Sequence, residues 1–212
     1  MKVFLFMVCR HHKKRLLRFL MVKTAAVRAG IKPGALLRVA RCYRLSRDES
    51  KGKICLYQNE ILEELKLKFR ILKNDPDSAL VLFYDPERLA ETLENAGNAA
   101  YLAVRGYEKC RRLEDYLTTL EDQCRRIPLP HEVGIFIGYP LKDVMGFIER
   151  APRTPGVRGD WQVFGEPEES LRLMRLYRCA EQLAEKIIET YQDIETCLEQ
   201  IANINIHQTV RS

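Results

Sequence analysis

His131 and Glu132 are adjacent, and Asp143 follows in the same stretch of chain. An imidazole titrates near neutral pH and a neighbouring carboxylate can orient it. These types therefore suit general acid/base chemistry, with His131 carrying the proton and Glu132 or Asp143 as its partner. Neighbours in sequence do not automatically face each other, and Pro128 and Pro130 offer His131 a plainer role in starting the next element. Tyr139, Trp161 and Phe164, set among glycines, suggest a second kind of site. Aromatic rings supply stacking area and glycines admit close backbone approach, so Tyr139, Trp161, Gly138 and Gly165 are candidate binding residues, with core packing as the simpler alternative. The chain contains no His-Glu-x-x-His zinc pattern, no Gly-x-Ser-x-Gly elbow, no phosphate-cradling glycine loop and no dinucleotide fingerprint. No cofactor is specified, and no metal site is expected.

Two readings compete for the element that positions these residues, 130–148. As a helix-turn-helix, Gly138 makes the turn and Gly134 lets the helices approach, while Val133, Ile137, Tyr139, Val144 and Phe147 fill the shared core. A DNA reader also needs polar and basic side chains on its second helix, and here Lys142 is that helix's single cation, so the shape fits better than the chemistry. In the alternative, 133–137 is a buried strand, favoured by β-branched residues and weakened by two glycines.

Around this corner, residues 16–29 have a helical pattern broken by Gly30, Pro33 and Gly34, after which Leu36, Leu37 and Ala40 suggest a short helix. Arg38, Arg41, Arg44 and Arg47 recur at three-residue spacing, as on a solvated helical face. Residues 46–52 read as a polar loop and 60–65 as a further helix. Leu67, Phe69 and Ile71 alternate with basic residues as in a half-buried strand, and residues 74–77 supply a turn. The continuous apolar run 80–84 reads as a more central strand, paired with the first in an antiparallel hairpin. Asp85 and Pro86 then cap and start a helix. Further helices are expected over 98–104 and 108–126, the latter with Cys110, Leu113, Leu117, Leu120, Cys124 and Ile127 on its apolar stripe. Residues 151–159 contain too many prolines and glycines for regular structure and read as a mobile loop, and 159–165 as a short strand carrying the one tryptophan. After Pro167, a heptad seam from Leu173 to Ile204 predicts an almost unbroken helix of roughly 55 Å at 1.5 Å per residue. Such a helix invites a helical partner or self-association, unless it folds back on its own domain.

With 212 residues, 46% of them hydrophobic, the chain can bury a full core. Its formal net charge of +6 resides in the first 20 residues, where Lys2, Arg10, Lys13, Lys14, Arg15 and Arg18 face no acid. The basic balance thus describes one segment, a frayed or membrane-grazing helix or a polyanion-binding arm, and not a nucleic-acid-binding face on the domain. Met7 and Met21 are alternative starts. No run is apolar enough to cross a bilayer, and the N-terminal apolar run precedes its basic residues instead of following them, unlike an export signal. Seven cysteines without a Cys-x-x-Cys pair point to reduced thiols in a cytoplasm. Cys9 beside His11 and His12 is the nearest approach to a metal-ligand set.

The motifs Pro130-His131-Glu132, Gly138-Tyr139-Pro140, Asp143-Val144, Gly146-Phe147-Ile148 and Gly159-x-Trp161-x-Val163-x-Gly165 follow one another in order. With Ala29-Gly30-Ile31-Lys32-Pro33 and Leu82-Phe83-Tyr84-Asp85-Pro86 upstream, they resemble the bacterial domain-of-unknown-function family thirty-seven ninety-three over residues 22–179. The resemblance implies no assigned activity, cofactor or partner. The family often carries a cysteine before the Ala-Gly-x-Lys-Pro segment and another before the tryptophan segment. This chain has neither, which argues against a thiol mechanism. The expectation is thus an α+β protein: a small, mainly antiparallel sheet packed with several helices, plus a long C-terminal amphipathic helix. Its parts are a basic segment 1–20, a single domain 21–180, and a distal helix and tail 181–212. Non-enzymatic binding of a ligand or partner, in a regulatory role, is the leading reading. Acid/base catalysis by His131 and nucleic-acid binding are the alternatives.

Overall fold

Ser78–Tyr84 is apolar at nearly every position, and such a strand needs cover on both faces. The structure, a computed structural model, describes residues 15–40, 65, 67–75, 78–191 and 193–204. In it, Ser78–Tyr84 (β3) is the centre of a three-stranded antiparallel sheet, flanked by Gly34–Ala40 (β1) and Lys68–Asn74 (β2) in the order β1–β3–β2. The expected β2–β3 hairpin is present, with a bulge between Ile71 and Lys73. Ala79, Val81 and Phe83 join Ala35 and Val39 in one core, and Leu80, Leu82 and Tyr84 join Leu72 in another.

Helices cover both faces. Against the first core lie residues 15–23 (α1), Ala25–Arg28 (α2), Glu168–Thr190 (α8) and Ile194–Ala202 (α9). Against the second lie Pro86–Glu94 (α3), Ala96–Leu102 (α4), Leu113–Arg126 (α5), Val133–Phe136 (α6) and Leu141–Ile148 (α7). Asp85 caps α3 as expected, its Oδ1 accepting the Arg88 N–H at 2.9 Å with Pro86 in the first turn. The corner 130–148 is two helices, not a strand and a helix. Gly138 turns it at φ +79°, and a Cβ on Gly134 would lie 2.8 Å from Val144 Cγ2.

Several local expectations fail where pairing or packing overrides them. Leu36, Leu37 and Ala40 are in β1, not a helix, because seven consecutive residues pair with β3 from Gly34↔Tyr84 to Ala40↔Ser78. Arg38 is consequently exposed on an edge strand and donates to Asp75 Oδ2 and Ser78 Oγ, each at 2.9 Å. Residues 159–165 form an irregular segment, not a strand. Cys110 is buried in the turn ahead of α5, whereas Cys124 lies on that helix as expected. Arg41, Arg44, Arg47, the loop 46–52, residues 60–64 of the expected helix, Cys9, His11 and His12 lie outside the described residues. Leu65 is helical and fully buried.

The helix expected to run unbroken to residue 204 ends at Thr190. Tyr191 is extended, and Asp193 restarts the chain as the N-cap of α9, accepting from Thr196 N and Thr196 Oγ1 at 2.8 Å. The seam therefore folds back on itself, with Cys197, Leu198 and Ile201 in the same core as Leu176, Tyr177, Ala180 and Ala184. That core also takes in Leu16, Leu17 and Leu20, so boundaries at residues 20 and 180 fall within core-forming helices. Among the described residues no helix is long and apolar enough to cross a membrane. Ile201 is fully buried, so Ile201→Ala is expected to lower unfolding free energy by about 2–4 kcal/mol. An unchanged midpoint in urea denaturation would show that α9 contributes nothing to the core.

Candidate functional site

Asp143 belongs to the first turn of α7, and only 1% of its side chain is exposed. A carboxylate there must be fully accepted by donors or lose its charge. Its Oδ1 accepts from Phe164 N and Lys142 Nζ, both at 2.9 Å, and its Oδ2 from Trp161 Nε1 at 2.8 Å and Ser170 Oγ at 2.6 Å. Those bonds occupy the roughly four acceptor positions of an ionised carboxylate. Lys142 Nζ also donates to Phe164 O at 3.0 Å and Ser170 Oγ at 2.7 Å, which exhausts its hydrogens. Burial alone would push the Asp143 carboxyl up. The bonds from Ser170, the Phe164 N–H, Trp161 and Lys142 outweigh it and hold the group below its ordinary value of 3.8. The first turns of α7 and α8, which carry Asp143 and Ser170, add favourable helix-dipole fields. A Cβ on Gly146 would sit 2.7 Å from Phe164 Cβ, so this glycine admits the segment whose N–H Asp143 holds.

The bond to Asp143 also fixes the indole. Trp161 stacks on Tyr139 with ring centroids 4.2 Å apart and planes 19° apart, and meets Tyr177 at 6.2 Å. Tyr177 Oη donates to Gly138 O at 2.9 Å, tying α8 to the helical corner. On Tyr177, Lys32 Nζ lies 4.8 Å from the ring centroid, and burial lowers this amine to about 8.

Between the α6–α7 corner and residues 153–163 opens a cleft of about 1080 Å³. Leu36, Leu129, Val133, Ile137, Val144 and Phe147 supply apolar lining, and Tyr139 and Trp161 supply aromatic lining. His131, Arg153, Thr154, Arg158, Asp160 and Gln162 add polar groups. An adjoining hollow of about 550 Å³ shares His131, Phe147, Arg153 and Gln162 and adds Arg150. His131 is exposed, edge-on to Phe147 at 4.8 Å between centroids.

His131, Tyr139, Asp143 and Trp161 thus line one cleft, although they come from separate elements. Glu132 does not. It is buried in the layer of Tyr107 and Cys124, where burial first, and then Glu132, raises both neighbouring groups, the thiol to about 11. Gly138 lies behind the cleft against Pro33 and Tyr177, and Gly165 is outside it, its carbonyl accepting from Thr154 Oγ1 at 2.7 Å. Arg153, Arg158 and Gln162 fall in segments whose sequence suggests only a breaker-rich loop and a short strand. Two arginines within a proline- and glycine-rich stretch were the available signal. Among the described residues, no group of three His, Cys, Asp or Glu is placed to hold a metal ion.

A small antiparallel sheet between two helical layers, with a cleft beside its helical corner, defines an α+β protein. The chain belongs to the family described as "Protein of unknown function (DUF3793)", whose model matches residues 20–198. Comparison with curated proteins and with solved structures finds no match.

Asp143→Asn places an amide N–H₂ against donors in either orientation. Ser170 can reverse its hydroxyl, but the indole and backbone N–H groups cannot. The substitution is expected to cost about 3–5 kcal/mol and to change the emission of the one tryptophan. Because the native carboxyl is depressed, its stabilisation is complete above the unfolded-state value and is lost as pH falls through the lower native value. Stability should therefore fall less steeply in Asp143→Asn than in the unmodified protein between about pH 5 and pH 2. Equal slopes in acid titrations of unfolding would show that Asp143 is not held ionised.

Proposed function

We propose that this protein binds a small ligand with a flat apolar body in the cleft between the α6–α7 corner and residues 153–163. The observation that carries this reading is the Tyr139–Trp161 stack, held by a saturated hydrogen bond to Asp143 at the wall of a cleft of ligand size. Prefixed aromatic surface lowers the ordering cost of binding. The free thiols Cys110, Cys124, Cys179 and Cys197 support placing the protein in the cytoplasm.

Acid/base catalysis has less support. Asp143 has no acceptor position left for an imidazole, Glu132 is buried away from the cleft lining, and the His131 imidazole forms no hydrogen bond with another described residue. Nucleic-acid recognition by α7 has little support either, because Lys142, its one cation, is turned inward onto Asp143 and Ser170. Self-association through the C-terminal seam loses its motive, since α8 and α9 bury much of that seam within the chain.

The test uses N-phenyl-1-naphthylamine, an uncharged flat probe that accepts excitation energy from tryptophan. Titration is expected to quench Trp161 saturably, and Tyr139→Ala to weaken binding about tenfold, in line with the loss of one aromatic contact. Saturation without energy transfer from Trp161, or equal affinity in Tyr139→Ala, would place binding elsewhere and sink the reading.

A further inference from the structure

Asp143 and Asp160 are the acids lining the cleft, and both are already neutralised. Asp143 is saturated, and Asp160 takes a two-pronged contact from Arg178, with Nη2 to Oδ1 at 2.8 Å and Nε to Oδ2 at 3.1 Å. The basic residues are in the opposite condition. Arg153 and Arg158 line the same cleft, and neither makes an ion pair or hydrogen bond with another described residue. The adjoining hollow, continuous in its lining through His131, Phe147, Arg153 and Gln162, contains Arg150 and no acid. The Arg150 guanidinium is also free of such partners among the described residues. The residue occupies the left-handed position after α7 at φ +55°, where Ala151 N bonds back to Gly146 O at 2.9 Å. Glycine adopts that conformation without strain, and a β-carbon does not. Unpaired guanidiniums lining a largely apolar cleft produce a positive local field, which attracts anions and repels cations.

We propose that the ligand of this cleft carries an anionic group, a phosphate or a carboxylate, on its flat apolar body. Arg153 and Arg158 hold the anion at the mouth, Arg150 reinforces them from the adjoining hollow, and Tyr139 and Trp161 take the body. This proposal rests on the cleft being the binding site. It adds the charge of the ligand and the residues that select it. Guanidinium pairs both anions through two parallel N–H bonds, so the shared chemistry is a planar or tetrahedral oxyanion.

The test compares N-phenyl-1-naphthylamine with 1-anilinonaphthalene-8-sulfonate, the same ring body bearing a sulfonate, each followed by energy transfer from Trp161 in the full chain. The sulfonate is expected to bind about tenfold more tightly at low salt, and the Arg153→Gln/Arg158→Gln double variant to erase that advantage while leaving the uncharged probe unaffected. Arg150→Gly is expected to raise the melting temperature and weaken the sulfonate alone, which separates loss of a contact from loss of the fold. Displacement by 1-naphthyl phosphate or by 1-naphthoate identifies the preferred oxyanion, and failure of both to displace would overturn the proposal. If both probes bind equally well and the arginine variants change neither, the cleft stands as a binding site and its anion preference is refuted. If neither probe draws energy from Trp161 in the unmodified protein, the binding-site reading itself has failed.

Discussion

A carboxylate shut away from water keeps its charge only if protein donors replace its hydration, and Asp143 meets that condition with atoms from three separated parts of the chain. Lys142 is its neighbour, Trp161 and Phe164 belong to the irregular segment, and Ser170 opens α8. The carboxylate thereby joins the α7 helix, the irregular segment and α8 at one point. The segment 159–165 is not part of the sheet; Thr154 N–H donates to Val163 O at 3.0 Å, Arg178 pairs with Asp160, and the indole and the Phe164 N–H share Asp143 as acceptor. Because breaking one bond leaves a buried charge short of donors, the arrangement resists partial loosening and behaves as a unit.

That unit positions the cleft. The central strand buries apolar residues on both faces, which forces helices onto both, and the α6–α7 corner falls at the margin of the second layer. Gly134 and Gly138 let the corner close tightly, with Tyr177 reaching from α8 to the Gly138 carbonyl. Tyr139 therefore presents its ring where Trp161 arrives from the other side. The apolar lining continues from the corner to Leu36 on β1, so the cleft joins elements of the sheet, the helical corner and the irregular loop.

The same facts bear on chemistry. A group that is to move protons needs a free lone pair or an accessible hydrogen, and Asp143 and Lys142 have neither to spare. Among the described residues lining the cleft and its adjoining hollow, the charged side chains without a partner are Arg150, Arg153 and Arg158. One of them occupies a backbone conformation that glycine would adopt more easily, which is the kind of local cost that functional positions retain.

Patterns that depend only on near neighbours were legible in the sequence. The alternation of Leu67, Phe69 and Ile71, the turn after Asn74 and the apolar run 80–84 specify the hairpin. Asp85-Pro86 specifies a helix start, and Leu117, Leu120 and Cys124 specify a buried helical stripe. Gly138 between apolar runs permitted the tight corner but could not exclude a strand. The family resemblance was legible because its motifs follow one another in order. Patterns satisfied by two structures were not legible. Leu36, Leu37 and Ala40 suit a helix in isolation and an edge strand once β3 offers its hydrogen bonds. Ile194 to Ile201 continues a seam as well as it starts a second helix, and the Asp193 cap decides between them. The site lay further still from sequence reasoning. Asp143 could be named a candidate acid, but three of its four donors stand 18, 21 and 27 residues away, and their convergence with the adjacent Lys142 saturates it. Local periodicity thus determined most of the helices and the hairpin, since those rest on contacts a few residues apart. Only the tertiary structure decided which charges are used up and which remain free, because that depends on which distant groups meet in space.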